Sequence, residues 1–177
     1  MPPSVHAYIS RIANIAIGPS TLRNQGAPGV TTVAREFLAS LDPSRFAQPS
    51  ETGFLAELNA QTEALVRRLP PGAQNWGTAR KALNVFLGEC YYHHFVRQHF
   101  ALEGLVHLLE VPLDSQVAGF LYKQARSSKD TTLPPWPGIR GLTPAVSAKY
   151  QEFASRFASS LGTGWARIHI DLIAWQR

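Results

Sequence analysis

The sequence predicts an all-α fold, a single helical domain spanning residues 1–177 with six to eight helices. Three observations lead there. Apolar residues recur at spacings of three and four almost throughout. Helix start and stop signals punctuate the chain at regular intervals. Before residue 165 there is no convincing alternation of the kind a strand needs. The chain is long enough for a real core, and 45% of it is hydrophobic, a globular composition.

The elements follow in order. "TTVAREFLASL" after the Gly/Pro-rich "NQGAPG" reads as a short helix, and "DPSRF" punctuates it. "ETGFLAELNAQTEALVRRL" places Phe54, Leu55, Leu58, Leu65 and Val66 near one side and is stopped by "PPG". The longest periodic segment runs from Asn75 to about Phe100. Trp76, Ala79, Leu83, Phe86 and Cys90 form its stripe, and "VFLGECYYHHFVRQHF" is apolar on more than one side, as a central helix contacted from several directions would be. A break near Gly104 divides it from "LVHLLE". Asp114 or Ser115 is an expected N-cap for the next helix. A Pro/Gly-rich connection, "TTLPPWPGIRGLTP", then leads to "AVSAKYQEFASRFASSLG", with Val146, Tyr150, Phe153, Phe157 and Leu161 on one face and Gly162 as C-cap.

The closing "RIHIDLIAWQR" puts Asp171 inside an apolar run. Its alternation is strand-like, but a lone strand in a helical protein would leave backbone groups unpaired. The expectation is an extended Arg167–Ile170 with Asp171 near the start of a last short helix, where free N–H groups favour a carboxylate. Asp171 could equally serve as a cap or pair with Arg167 or His169.

Several function classes are narrowed by composition. No apolar stretch approaches the roughly 20 residues that span a bilayer. The N-terminus lacks the pattern of a signal peptide, so no membrane partner and a cytoplasmic location are expected. Cys90 is the sole cysteine, which leaves no disulfide framework and no thiolate cage. His99, Glu103 and His107 share a face only if their helix is continuous, and a metal there would need further ligands, so no metal and no cofactor are expected. The formal charge is +5, and thirteen of the seventeen basic residues are arginines, the better fork for phosphate oxygens. Lys123, Arg126, Lys129, Arg140 and Lys149 face a single acid, Asp130, over residues 115–149. That stretch reads either as a phosphate-facing surface or as a solvated one.

"WGTARKALN" sets Arg80 and Lys81 beside Trp76. They could hold phosphate or the terminal aspartate, and a pairing of Arg80 with a buried acid is the version to check first. The reading preferred from sequence is the solvated side of an amphipathic helix.

The turn-rich "IRGLTPAVS", Lys149 at the start of a helix, and "HIDLIAW" with its aspartate 22 residues after that lysine come in a suggestive order. Over about Leu133 to Trp175 this resembles the helix-hairpin-helix DNA glycosylases, in their 8-oxoguanine-glycosylase-like branch. The resemblance implies a hairpin element near residues 134–161, Lys149 as nucleophile and Asp171 as the carboxylate that completes the site. It implies DNA as partner, held by Lys123, Arg126, Lys129, Arg140, Gly141 and Ser147. A base flipped from the stack would rest on aromatics such as Phe153, Trp136 and Trp165. Where the family carries Gly–apolar–Gly, this chain has Ala145, Val146 and Ser147, with Gly138 and Gly141 upstream. The expected function is a base-excision glycosylase, with associated lyase chemistry if the lysine acts. The alternative is a non-catalytic helical module of the same fold that binds DNA or a protein.

Overall fold

The computed structural model describes residues 3–175, apart from 19, 23, 24, 26 and 49. Among the described residues there are eight α-helices and no strand, so the all-α class holds. They are α1 (Pro3–Ala16), α2 (Val30–Ala39), α3 (Glu51–Arg68), α4 (Trp76–Tyr92), α5 (His94–His99), α6 (Ser115–Ser127), α7 (Pro144–Ser160) and α8 (Ile170–Ala174). Short 3-10 turns lie at Pro43–Phe46, Glu103–His107 and Arg167–His169.

Side-chain caps begin most of the longer helices. Ser50 accepts from the Gly53 N–H to start α3, Asn75 from Thr78 to start α4, and Thr143 from Val146 to start α7, where Pro144 fills the first turn. Asp114 caps α6 through two N–H groups, at 2.9 and 3.0 Å, as its position before the apolar run suggested. The expected continuous helix from Asn75 to about Phe100 is instead two helices. His93 adopts an extended ψ, and its Nδ1 accepts from the Val96 N–H, which ends α4 and starts α5. The N-terminal segment, read only as a short apolar run, is helix α1. Its Val5, Ile9, Ile12, Ala13 and Ala16 are buried, a helical spacing that Arg11 and Asn14 on the outer side do not interrupt.

Two apolar cores result. In the first, α1, α2 and α3 pack on α4, which is buried on nearly every side from Gly77 to Cys90. The second lies between α6, α7 and α8 and is built on Val117, Leu121, Tyr150, Phe153 and Ile170. The segment from Leu109 to Asp114 runs between the two. Leu109 belongs to the first core and Val111 to the second. Gln151 of α7 fastens it, its side-chain amide accepting from the Val111 N–H and donating to the Val111 carbonyl, at 3.0 and 2.8 Å. The C-terminal segment crosses the same boundary, with Ala166 and Ile168 in the first core and Ile170 in the second. Residues 167–169, expected to be extended, form a 3-10 turn, and α8 starts at Ile170 with Asp171 in its first turn.

Helices α6 and α7 pack together across the connection of residues 128–143. This connection contains a turn at 139–141 preceded by Gly138 at φ 79°, and it does not by itself define a helix-hairpin-helix element. It is pinned to α4 by close approach at Gly77. A Cβ built there would overlap the Ile139 carbonyl oxygen and lie 2.8 Å from the Leu142 Cβ. Backbone stands against backbone, so neither side can give cheaply. Gly77→Ala should therefore lower stability by about 1–3 kcal/mol, measured by urea unfolding, despite the better helix propensity of alanine. An unchanged or raised midpoint would show that the turn is not seated on α4.

Candidate functional site

Two consecutive basic residues of α4, Arg80 and Lys81, turn to different clefts. Arg80 is buried beneath a cleft of about 500 Å³, whose walls include Glu51, Asn59, Trp76, Ser147 and Arg167. Its guanidinium forks onto Glu110, Nε to Oε2 at 2.8 Å and Nη2 to Oε1 at 2.7 Å. Nη1 donates to Asn59 and Thr62, and the group lies 5.1 Å from the Trp76 ring centroid. Asn84 donates a third hydrogen bond to Glu110. Burial pushes the Glu110 carboxyl up, but the Arg80 hydrogen bonds and charge, Asn84 and the charge of Arg167 outweigh it and hold the group below its usual range. Arg167 itself donates to the Leu108 and Leu109 carbonyls at 2.6 and 2.9 Å.

Lys81 points to a second, smaller cleft of about 150 Å³, lined by Lys81, Asp114 and Asp171 together with Ser20, Thr21 and Trp175. The Lys81 amine stands 3.3 Å from Asp114 Oδ2, while the other oxygen of Asp114 caps α6. Asp171 lies within the field of both. Burial and the charge of Asp114 push its carboxyl up to about 6, with Glu89 adding to the rise, against the opposing hydrogen bond from Trp175 and charge of Lys81. A lysine and two carboxylates thus converge on one half-closed space, and one of the carboxyls is raised to about 6. That combination is suited to holding or moving a proton beside a bound group, or to stabilising a developing positive charge.

The amine in the cleft of Asp171 is therefore Lys81, not Lys149. Lys149, the nucleophile the resemblance implied, is exposed on α7 and does not line the cleft of Asp171. Both Arg80 and Lys81 are buried, which overturns their reading as a solvated helix side. The pairing of Arg80 with a buried acid is present, and that acid is Glu110.

The aromatic candidates are placed differently as well. Phe153 is 5% exposed, stacked on Phe157 inside the second core, and cannot meet a base without unpacking it. Trp136 and Trp165 are half-buried against the same core, edge-on to Tyr150 and His169 respectively. The ring lining the Asp171 cleft is Trp175, 50% exposed, and Tyr92 lies within the field of Asp171, its hydroxyl pushed up to about 12 by burial and then by that charge. Of the apolar residues around Asp171, Leu172 and Trp175 are exposed and Ile170 is buried. A five-residue helix has only one inward face.

Of the expected phosphate contacts, Lys123, Arg126 and Lys129 are exposed on α6 and just beyond it, and Arg140 and Gly141 are exposed on the turn that follows. Gly141 is needed for that turn, since a Cβ would stand 2.8 Å from the Pro137 carbonyl oxygen. Ser147 is 2% exposed and faces the Arg80 cleft, so it is no surface contact. His99, Glu103 and His107 do not share a helical face, because α5 ends at His99 and Ala101 takes φ 54° before the next turn. Among the described residues no group of three or more His, Cys, Asp or Glu side chains is placed to hold a metal ion, and no helix is long and apolar enough to cross a membrane.

Comparison with protein-family models, with curated proteins and with solved structures finds no match to this chain.

The raised Asp171 carboxyl has a consequence for stability. The folded state keeps the proton up to about pH 6, whereas the unfolded chain releases it near the usual 3.8. The ionised group thus costs stability, a cost absent at low pH that grows as the pH rises through this window and is complete above it. Asp171→Asn should raise the melting temperature at about pH 7.5 and leave it nearly unchanged at about pH 4. Destabilisation of the variant at both pH values would make Asp171 a structural anchor.

Proposed function

We propose that the chain is a DNA base-excision glycosylase whose working carboxylate is Asp171 and whose amine is Lys81. One observation carries the reading: Asp171, held near neutrality in an apolar run, opens into the same small cleft as a nearly buried lysine. Cleavage of an N-glycosidic bond builds positive charge on the sugar, and a carboxylate in a poorly solvated cleft stabilises it strongly. The base departs with the bonding electron pair. An unprotonated Lys81 amine attacking the anomeric carbon forms the new C–N bond, and opening of the sugar ring gives the Schiff base from which strand cleavage by elimination proceeds. Asp114 orients the Lys81 ammonium in the resting ion pair, and the ammonium passes its proton to the departing base before the freed amine attacks. The arginine-rich charge balance favours a phosphate-bearing substrate.

The ion pair of Lys81 with Asp114 also favours a second reading, a non-catalytic DNA-binding module in which these groups only clasp α4 to the start of α6. Borohydride trapping on duplexes carrying a panel of lesions, with an abasic site included, separates the two. The expected result is a covalent adduct with the wild type and with Lys149→Gln that is lost in Lys81→Gln. Base excision should fall by about 10²-fold or more in Asp171→Asn, and wild-type activity should rise with pH through about 6 as Asp171 ionises. An adduct lost only in Lys149→Gln overturns the assignment of the amine. No adduct or excision on any substrate, with salt-dependent DNA binding indifferent to Asp171→Asn, establishes the non-catalytic module.

A further inference from the structure

The basic stretch singled out by composition lies on α6, the connection after it and α7, yet the surface leading to the Asp171 cleft has a different character. The chain carries no acid before Glu36, and none between Cys90 and Leu102. These two segments meet where α1 packs on α4 and α5. Their outward side chains form a band of rings. Tyr8 lies 5.1 Å from His93 and 5.0 Å from Phe95, Phe95 is stacked on His99 at 6.0 Å, and His99 meets Phe100 at 4.7 Å. Tyr8, Phe95 and Tyr92 are 36%, 40% and 44% exposed, unusually open for rings of this size. The exposed Arg11 follows Tyr8 by one helical turn, with Ile15 a further turn on, 53% exposed. Arg97 lies over the Tyr91 ring at 5.3 Å. His6, His94 and His99 are exposed around them. Acids at its edges include Asp42, which lines a cleft together with His6, Glu89 on α4, and the exposed Glu103, three residues past Phe100.

The band also has a direction. Tyr92 feels the charge of Asp171, and Ser20 and Thr21, which follow α1, line the Asp171 cleft. Trp175 stands at the same mouth.

We propose that the ring band of α1 and α5 is a docking surface for a single nucleic-acid strand, running from Phe95 and Tyr8 to the mouth of the Asp171 cleft. Exposed rings offer planes on which successive bases stack irrespective of sequence, and cations without acids between them suit a phosphate backbone. Charge complementarity selects this occupant over an ordinary protein partner, whose own backbone carries no repeating negative charge. The direction of the band rests on the reading of the Asp171 cleft as a nucleotide site, while the surface itself is tested without it.

The test is fluorescence anisotropy of the full chain with a labelled, lesion-free single strand on the order of ten nucleotides. Such a probe reports binding whether or not any base is excised, so failed excision with intact binding sinks the earlier reading alone. Tyr8→Ala/Phe95→Ala should weaken binding by about tenfold or more. Arg11→Glu, which leaves the rings in place, should weaken it by about threefold or more and steepen no salt dependence; it reads the same surface if the double truncation fails to fold. Three binding results would overturn the proposal. These are no binding by the wild type, affinity unchanged in the ring and Arg11 variants, and affinity lost instead in Lys123→Ala/Lys129→Ala. A dimer seen by sedimentation that dissociates on the ring substitutions would assign the band to a second copy of the chain and overturn it as well.

Discussion

The bidentate contact between Arg80 and Glu110 sets the rest of the molecule in place. Arg80 is on α4, the helix at the centre of the first core, and Glu110 is on the segment that carries the chain into the second. Asn59 and Thr62 bring in α3, and Asn84 adds a second hold from α4. Two buried charges gain little net stability over apolar packing of the same volume, but removing one partner strands the other and costs roughly 3–5 kcal/mol. The pair therefore acts chiefly as a constraint on register. With Glu110 fixed, Pro112 and Asp114 follow at fixed offsets, and Asp114 arrives beside Lys81 while capping α6.

That constraint explains how neighbouring residues come to serve two clefts. Arg80 and Lys81 differ by one position on α4 and so point about 100° apart around its axis. Glu110 and Asp114 repeat the division on the crossing segment, and Arg167 and Asp171 repeat it at the C-terminus. Three pairs of charged residues are thus shared between a wide cleft, where the charges are satisfied by one another and by backbone carbonyls, and a narrow one. In the narrow cleft Asp171 has only a hydrogen bond from Trp175 and the weaker field of Lys81 against burial and a second carboxylate. The difference in satisfaction is what makes the narrow cleft the reactive candidate.

Much of the fold was legible in the sequence. The periodicity located α3, α6 and α7, and Asp114 stood where a cap is needed, whereas α7 has its C-cap at Leu161, one residue before the expected Gly162, which takes φ 124° beyond the helix. What escaped were features decided by tertiary contacts. A histidine that caps backbone from within an apolar run splits the central helix at position 93, and nothing in its spacing distinguishes it from a core residue. Leu172 and Trp175 continue the apolar pattern of α8 but stand on the outside of a helix too short to turn them inward. The site was half legible. Asp171 was conspicuous as an acid among apolar residues, and "WGTARKALN" drew notice, yet a single sequence could not tell whether Lys81 or Lys149 meets it. The pairing is made by the Glu110 to Asp114 crossing, which brings together residues 90 positions apart.

The most direct measurement is the titration of the Asp171 side-chain carboxyl carbon by NMR in the wild type, Lys81→Gln and Lys149→Gln. The account expects a midpoint near 6 in the wild type. It expects a higher midpoint once the Lys81 charge is removed, and no change on removal of Lys149. A wild-type midpoint in the ordinary aspartate range, or one that moves with Lys149 and ignores Lys81, would contradict it.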